Sequence, residues 1–215
     1  MVRVYGSRDA GVTAVRDATF EVLPGEHIAL VGPSGSGKST LLLMAAGIEE
    51  PTEGVLEWPA LGSRANLRPG PVAIAFQGPS LLPPLSVLEN VALPVLLAGG
   101  DEGRAGAEAA RLLATFGLAE LAGKLPEELS GGQAERAGVA RALAGEPRLL
   151  LADEPTGQQD GATGAALMRE MVAEVDRIGA ALVVATHDDR VAVLFDRVWS
   201  MRDGLLETEV ATRSG

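Results

Sequence analysis

Apolar residues along this chain fall into short dense runs separated by longer stretches of helical periodicity. Residues 2–5 and 19–22 read as short strands, and Leu23-Pro24-Gly25-Glu26 reads as a turn. A compact run at 27–31 ends in a glycine-rich loop, and 39–47 predicts a helix through Leu41, Leu42, Leu43, Met44 and Ala45, stopped by Gly47. Three further unbroken runs, 72–76, 149–152 and 182–185, have the length and composition of strands buried on both faces of a parallel sheet. Helical spacing returns between them. Residues 105–116 place Leu112, Leu113 and Phe116 together, and 165–178 repeat Leu167, Met168, Met171, Val172, Val175 and Ile178. Near the end, Arg202-Asp203-Gly204 joins 198–201 to 205–209 as a hairpin. Strands alternating with helices predict an α/β fold with a mostly parallel core sheet. Residues 81–129 predict a helical subdomain set into that core, with its start broken by Pro83, Pro84 and Pro94. The Gly-rich, charged stretch 101–106 is the best linker candidate.

Composition narrows the class. At 215 residues, 47% apolar and 22% charged, the chain has material for a full core and is too apolar for disorder. With no cysteine there is no disulfide scaffold and no thiolate chemistry, and two histidines, His27 and His187, leave little for a zinc site. The expected location is cytoplasmic. The start carries no basic-then-apolar leader, and no apolar run reaches membrane-spanning length, so a membrane role is expected to come through a partner. A formal net charge of −11 argues against a nucleic-acid surface, which needs clustered Lys and Arg, and fits plain solubility.

Gly32-Pro33-Ser34-Gly35-Ser36-Gly37-Lys38-Ser39 satisfies every fixed position of G-x-x-x-x-G-K-[ST], between an apolar run and a helix. Glycines let the backbone wrap so that successive N–H groups face phosphate oxygens, and the following helix adds its positive end. Lys38 reaches the β- and γ-phosphates, and the Ser39 hydroxyl is a ligand for Mg²⁺. A merely structural Gly/Ser turn rarely ends in Lys-Ser at the mouth of an apolar helix. The run 149–152 then leads into Asp153 and Glu154. Beside a phosphate loop, Asp153 suits a water-mediated Mg²⁺ contact, and Glu154, where the chain leaves the sheet, suits a general base. Two solvated acids at a strand end are the plainer alternative.

Leu129-Ser130-Gly131-Gly132-Gln133 opens a helix continuing through 134–144. Ser130 is a good N-cap, and the two glycines expose N–H groups: a second phosphate-binding device. One nucleotide cannot easily use both devices. An antiparallel dimer, each subunit's phosphate loop facing the other's Ser130 turn, solves this economically. A capped helix without a ligand is the rival reading.

With these residues in order, the chain resembles an ABC transporter ATPase along nearly its whole length. That resemblance implies one P-loop NTPase domain of the ABC type over 1–215, with an antiparallel β part and an inserted helical part. Gly32 to Ser39, with Thr40 following, is similar to Walker A. Residues 129–133 are similar to the ABC signature, with Ser130, Gly131, Gly132 and Gln133 as nucleotide contacts. Residues 149–154 are similar to Walker B with its catalytic glutamate. The family pattern further implies Gln77 as the Q-loop residue sensing Mg²⁺ and water, Asp160 as the D-loop aspartate, His187 as the switch histidine and Tyr5 as an aromatic stacking on adenine. The stretches Ser80-Leu81-Leu82-Pro83, Leu88-Glu89-Asn90-Val91-Ala92-Leu93-Pro94 and Ala152-Asp153-Glu154-Pro155-Thr156-Gly157 resemble the lipoprotein-releasing and macrolide-exporter branch. There are departures. The part between Gly54 and Val72 is short, so the antiparallel part should be trimmed. Gln158-Gln159 stands before Asp160 where the family more often has a small or polar residue and then leucine, and Gly138 sits inside the signature helix.

The implied function is ATP hydrolysis by two copies closing on two ATP·Mg²⁺, driving a separate polytopic membrane permease at the inner face of the cell membrane. Lys38, Gln77, Glu154 and His187 are the expected catalytic groups, and Ser39, Gln77 and Asp153 the expected metal contacts. An ATPase regulating a membrane complex in cell division or envelope processes uses the same motor and is the alternative. A soluble ABC ATPase of DNA repair would show a coiled-coil insertion or basic surface, and a small-molecule P-loop kinase would not need residues 129–133.

Overall fold

A computed structural model describes residues 1–6, 11–78, 80–188 and 194–209. Its main sheet has six strands in the order β4-β5-β6-β3-β7-β8: β3 is His27–Val31, β4 Val72–Ala75, β5 Leu149–Asp153, β6 Ala181–Thr186, β7 Arg197–Arg202 and β8 Leu205–Glu209. The first five are parallel to their neighbours, and β8 returns antiparallel to β7 through the expected hairpin. A separate two-stranded antiparallel sheet pairs β1 (Arg3–Tyr5) with β2 (Val12–Val15).

The apolar runs are strands because both sheet faces are covered. Side chains alternate across a strand. Leu150, Ala152, Leu182 and Val184 join the core under helices α2 (Val87–Leu97), α3 (Glu102–Thr115), α4 (Gly131–Ala144) and α5 (Gly161–Ile178). Leu149, Leu151, Ala181, Val183 and Ala185 join the opposite core with α1 (Lys38–Ala45) and Trp199. In α5 the periodic Leu167, Met168, Met171 and Val175 are all buried, each worth roughly 1.5–3 kcal/mol of transfer free energy.

Register decides where the loops meet. Ala75 lies opposite Ala152, Asp153 opposite Ala185, and Val31 opposite Thr186. The carboxyl ends of β3, β4, β5 and β6 therefore share one edge. Gly32, Gln77, Glu154 and His187 leave the sheet there, one or two residues past the last strand position. Ligands of open α/β sheets bind at this edge.

Several expectations fail for tertiary reasons. Residues 19–22 form no strand: Phe20 packs its ring 5.1 Å from Trp199. The strand that pairs with β1 is 12–15, which carries no strong periodic signal. The linker candidate 101–106 is the start of α3, with the Asp101 carboxylate accepting the Arg104 N–H at 2.9 Å as an N-cap. Pro94 does not end α2, which runs on to Leu97 against α3 and α4. Between residues 54 and 71 the only regular element is a single 3-10 turn at Arg64–Asn66, in keeping with a trimmed antiparallel part. A Cβ on Gly138 would meet the Ser80 hydroxyl at 3.4 Å, the near edge of ordinary contact.

Candidate active site

The loop 32–37 wraps tightly because its glycines permit what other residues cannot. Gly37 caps α1 at φ +107°, where L side chains are strained, and a Cβ on it would collide with the Ala14 carbonyl of β2. The β1–β2 sheet thus lies against the loop. No side chain caps α1, so its first-turn N–H groups remain for another acceptor. Lys38 is buried, 4% exposed, and folds back onto the loop, donating to the Gly32 carbonyl at 2.8 Å and the Pro33 carbonyl at 3.1 Å. Its Nζ also stands 3.8 Å from Glu154 Oε1. A buried ammonium needs such oxygens, and phosphate oxygens are stronger acceptors of the same kind.

Glu154 is one of the described residues with a positive φ, +46°, outside glycine. This left-handed turn at the end of β5 swings its carboxylate among the other loops, a local strain of about 1–2 kcal/mol. Glu154 Oε2 lies 3.0 Å from His187 Nδ1 and accepts from Gln77 Nε2 at 3.4 Å. Three loops thereby converge on one carboxylate. Asp153, one residue earlier, lies beside the Ser39 side chain. Burial pushes the Asp153 carboxyl above the ordinary aspartate range, the neighbouring Glu154 adds to this, and Ser39 and Lys38 act against it.

The oxygen-donor pair Ser39 and Asp153 fits Mg²⁺. Asp153 Oδ1 is buried without a hydrogen-bond partner, which is the kind of atom a hard cation or its bound water would satisfy. Among the described residues no cluster of three or more His, Cys, Asp or Glu side chains forms a metal site, so the remaining ligands would be neutral oxygens: an amide, water or the phosphates themselves.

The Ser130 turn stands apart from this cluster: no hydrogen bond or ion pair joins residues 130–133 to 32–40 among the described residues. Ser130 and Gln133 form a capping box, the Ser130 N–H donating to Gln133 Oε1 at 2.8 Å and the Gln133 N–H to Ser130 Oγ at 3.3 Å. Asp160 caps α5, accepting the Thr163 N–H at 2.9 Å and the Ala162 N–H at 3.1 Å. Tyr5 lies at the open end of β1, paired with Val12, with the Arg3 guanidinium 4.5 Å above its ring. Two residues that sequence reasoning passed over matter here. Arg141 of α4 holds the loop after Gln77, donating to the Ser80 carbonyl at 2.7 Å and hydroxyl at 3.0 Å. Glu135, buried in α4, accepts the Gln158 N–H at 3.3 Å. Neither carried a signal beyond being a charge within a largely buried helix.

A phosphate loop after β3, an acid pair at the end of β5 with β6 between them, and a capped Ser-Gly-Gly turn, all on this sheet order, define a class. The ABC transporter family model matches residues 15–157, and the chain belongs to that family as an ABC-type ATP-binding subunit. Its relatives are specific. The chain is 41% identical over 214 residues to the lipoprotein-releasing system ATP-binding protein LolD 2 of Caulobacter vibrioides, covering 96% of this chain and 94% of that protein. It is 40% identical over 212 residues to LolD of Novosphingobium aromaticivorans, covering 95% of each. In structure it is similar to the dimeric ABC transporter cassette MJ0796, with a TM-score of 0.87 at 32% identity over 97% of this chain and 95% of that one. A dimeric post-hydrolysis state of MJ0796 bound to ADP and Pi matches equally, at 31% identity.

Proposed function

We propose that two copies of this chain close on two ATP molecules, hydrolyse them, and pass the motion to a polytopic membrane partner of a lipoprotein-releasing system. The support is the three-loop convergence on Glu154, the second phosphate device held away from it, the dimeric MJ0796 structures and the LolD relatives. No helix among the described residues is long and apolar enough to cross a membrane, and in this reading the partner provides the span. Residues 81–129 are the proposed helical subdomain facing it, with the protein held at the inner face of the membrane.

The chemistry follows from the residues. ATP displaces the Gly32 and Pro33 carbonyls from Lys38, which then neutralises charge developing on the γ-phosphoryl with the N–H groups of Gly35, Ser36, Gly37, Ser39 and Thr40. Pro33 has no N–H and Ser34 lies at the exposed mouth, so both act by shaping the turn. Ser39, Gln77 and (through water) Asp153 would hold Mg²⁺, which would supply positive charge to screen the phosphate oxygens. Glu154 orients and deprotonates the attacking water. His187 and Gln77 hold the Glu154 carboxylate until nucleotide arrives, and His187 then steadies the γ-phosphate. Tyr5 offers its free face to adenine, and Asp160 meets the partner's phosphate loop. Ser130 with Gly131, Gly132 and Gln133 seals the site from the opposite subunit.

Glu154→Gln keeps the shape and removes the base. ATP is expected to hold this variant as a dimer on size exclusion with light scattering, while phosphate release falls by at least about 10²-fold. Wild-type turnover by Glu154→Gln would remove the base assignment.

A further inference from the structure

The pair Gln158-Gln159, where this chain departs from the family's usual residues, does something definite in three dimensions. Gln159 Nε2 donates to the Gly132 carbonyl at 2.6 Å, across 27 positions of sequence. A Cβ on Gly132 would lie 2.9 Å from Gln159 Oε1, and a Cβ on Gly131 would collide with Gln158 Oε1. Any side chain added at either glycine would have to push these glutamine amides away from the turn. The Gln158 N–H is held in turn by the buried Glu135 of α4.

We infer that Gln159, supported by Gln158 and Glu135, is a positioning residue that presets the N-terminal turn of α4 for a phosphate and ties it to the same subunit's catalytic acid. The inference rests on the two-copy ATP sandwich proposed above. A Ser-Gly-Gly start is loose in isolation, because glycine restricts the backbone least. The Gln159 amide holds the carbonyl of the 132–133 peptide. The N–H of that same peptide donates to Ser130 Oγ at 3.3 Å. Polarising one end of a peptide strengthens the bond at its other end. A hydroxyl has one proton and two lone pairs, so Ser130 accepts inside the cap and keeps its proton for an outside acceptor such as a phosphoryl oxygen. On the other side the path is short: the Gln159 N–H bonds the Thr156 carbonyl at 3.1 Å, and the Gly157 N–H bonds the Glu154 carbonyl at 3.1 Å. In a sandwich, each cap serves the other subunit's nucleotide. The tether thus links the acid of one site to the seal of the other.

The test compares Gln159→Met, which fills space without a donor, with Gln159→Glu, which sets a carboxylate against the Gly132 carbonyl. Both are made in full-length protein, alone and with Glu154→Gln. ADP binding to the monomer should stay within about twofold, since the phosphate loop is untouched. ATP-driven dimerisation of the Glu154→Gln background should weaken about tenfold for Met and more for Glu. Amide hydrogen exchange at residues 131–134 of the monomer should speed up in the same order. Equal dimerisation and unchanged exchange in Gln159→Met overturn the tether. Should the Glu154→Gln parent itself never dimerise with ATP, the sandwich fails and the positioning role falls with it. A parent that dimerises beside an unaffected Gln159→Met removes the tether alone.

Discussion

Two glycine-rich helix starts in this molecule are built oppositely. At α1 no side chain caps the first turn, Gly37 sits in the left-handed region, and a buried lysine folds onto the loop's own carbonyls. At α4 a reciprocal Ser130–Gln133 box satisfies the first donors, and Gln159 holds the Gly132 carbonyl. The first is an unsatisfied cradle in which a cation waits for an anion. The second has its Ser130 and Gln133 N–H groups already satisfied and offers the Gly131 and Gly132 N–H groups, one spare hydroxyl proton and the positive pole of the helix. An uncapped start leaves its first donors for a triphosphate. A capped one adds only a final increment to a phosphate already held elsewhere, which is what sealing a partner's site requires.

That contrast can be broken at the cradle first. Lys38→Ala removes a buried cation facing Glu154, and turnover should fall about 10³-fold with ATP affinity, by calorimetry and phosphate release. Normal binding in Lys38→Ala would mean the amides alone suffice. The cap should answer differently. Ser130→Ala costs the α4 terminus about 1 kcal/mol and lowers turnover on the order of tenfold, while monomer ADP affinity holds. Loss of monomer affinity in Ser130→Ala would erase the distinction between the two helix starts.

The smallest effect concerns stability. Burial raises the Asp153 carboxyl, so over the window between its ordinary and raised values the folded chain holds more protons than the unfolded one. Stability owed to this group therefore rises as pH falls through that window and is lower above it. Asp153→Asn should accordingly melt at or slightly above the wild-type temperature at pH 7, with the difference shrinking on acidification, while Mg²⁺-dependent turnover is lost. A clear drop in melting temperature at pH 7 would contradict the burial argument.

How much was legible in the sequence differs by region. The dense runs at 27–31, 72–76, 149–152 and 182–185 announced their strands because a sheet buried on both faces tolerates little else. The phosphate loop and the Ser130 turn were legible because their chemistry is local: glycines, a cap and a lysine act within a few residues of backbone. The first strands were not legible. Val12–Val15 pairs with β1 although Val12 is 70% exposed, and Phe20 leaves its apparent strand for Trp199. The stretch 101–106 looked like a linker, since glycine and charge mark loops as readily as a solvated helix face; its amphipathic burial of Ala105, Ala109 and Leu112 decided for helix.

From the amino-acid order alone came the phosphate-binding chemistry, the candidate residues and their grouping into an ATP-binding subunit. Only the tertiary structure decided that Gln77, Glu154 and His187 meet at one carboxylate, and that Gln159 grips Gly132. The reason is range: capping and loop wrapping are settled by neighbours along the chain, whereas strand register and contacts 27 to 77 positions apart arise only when separate segments share one core.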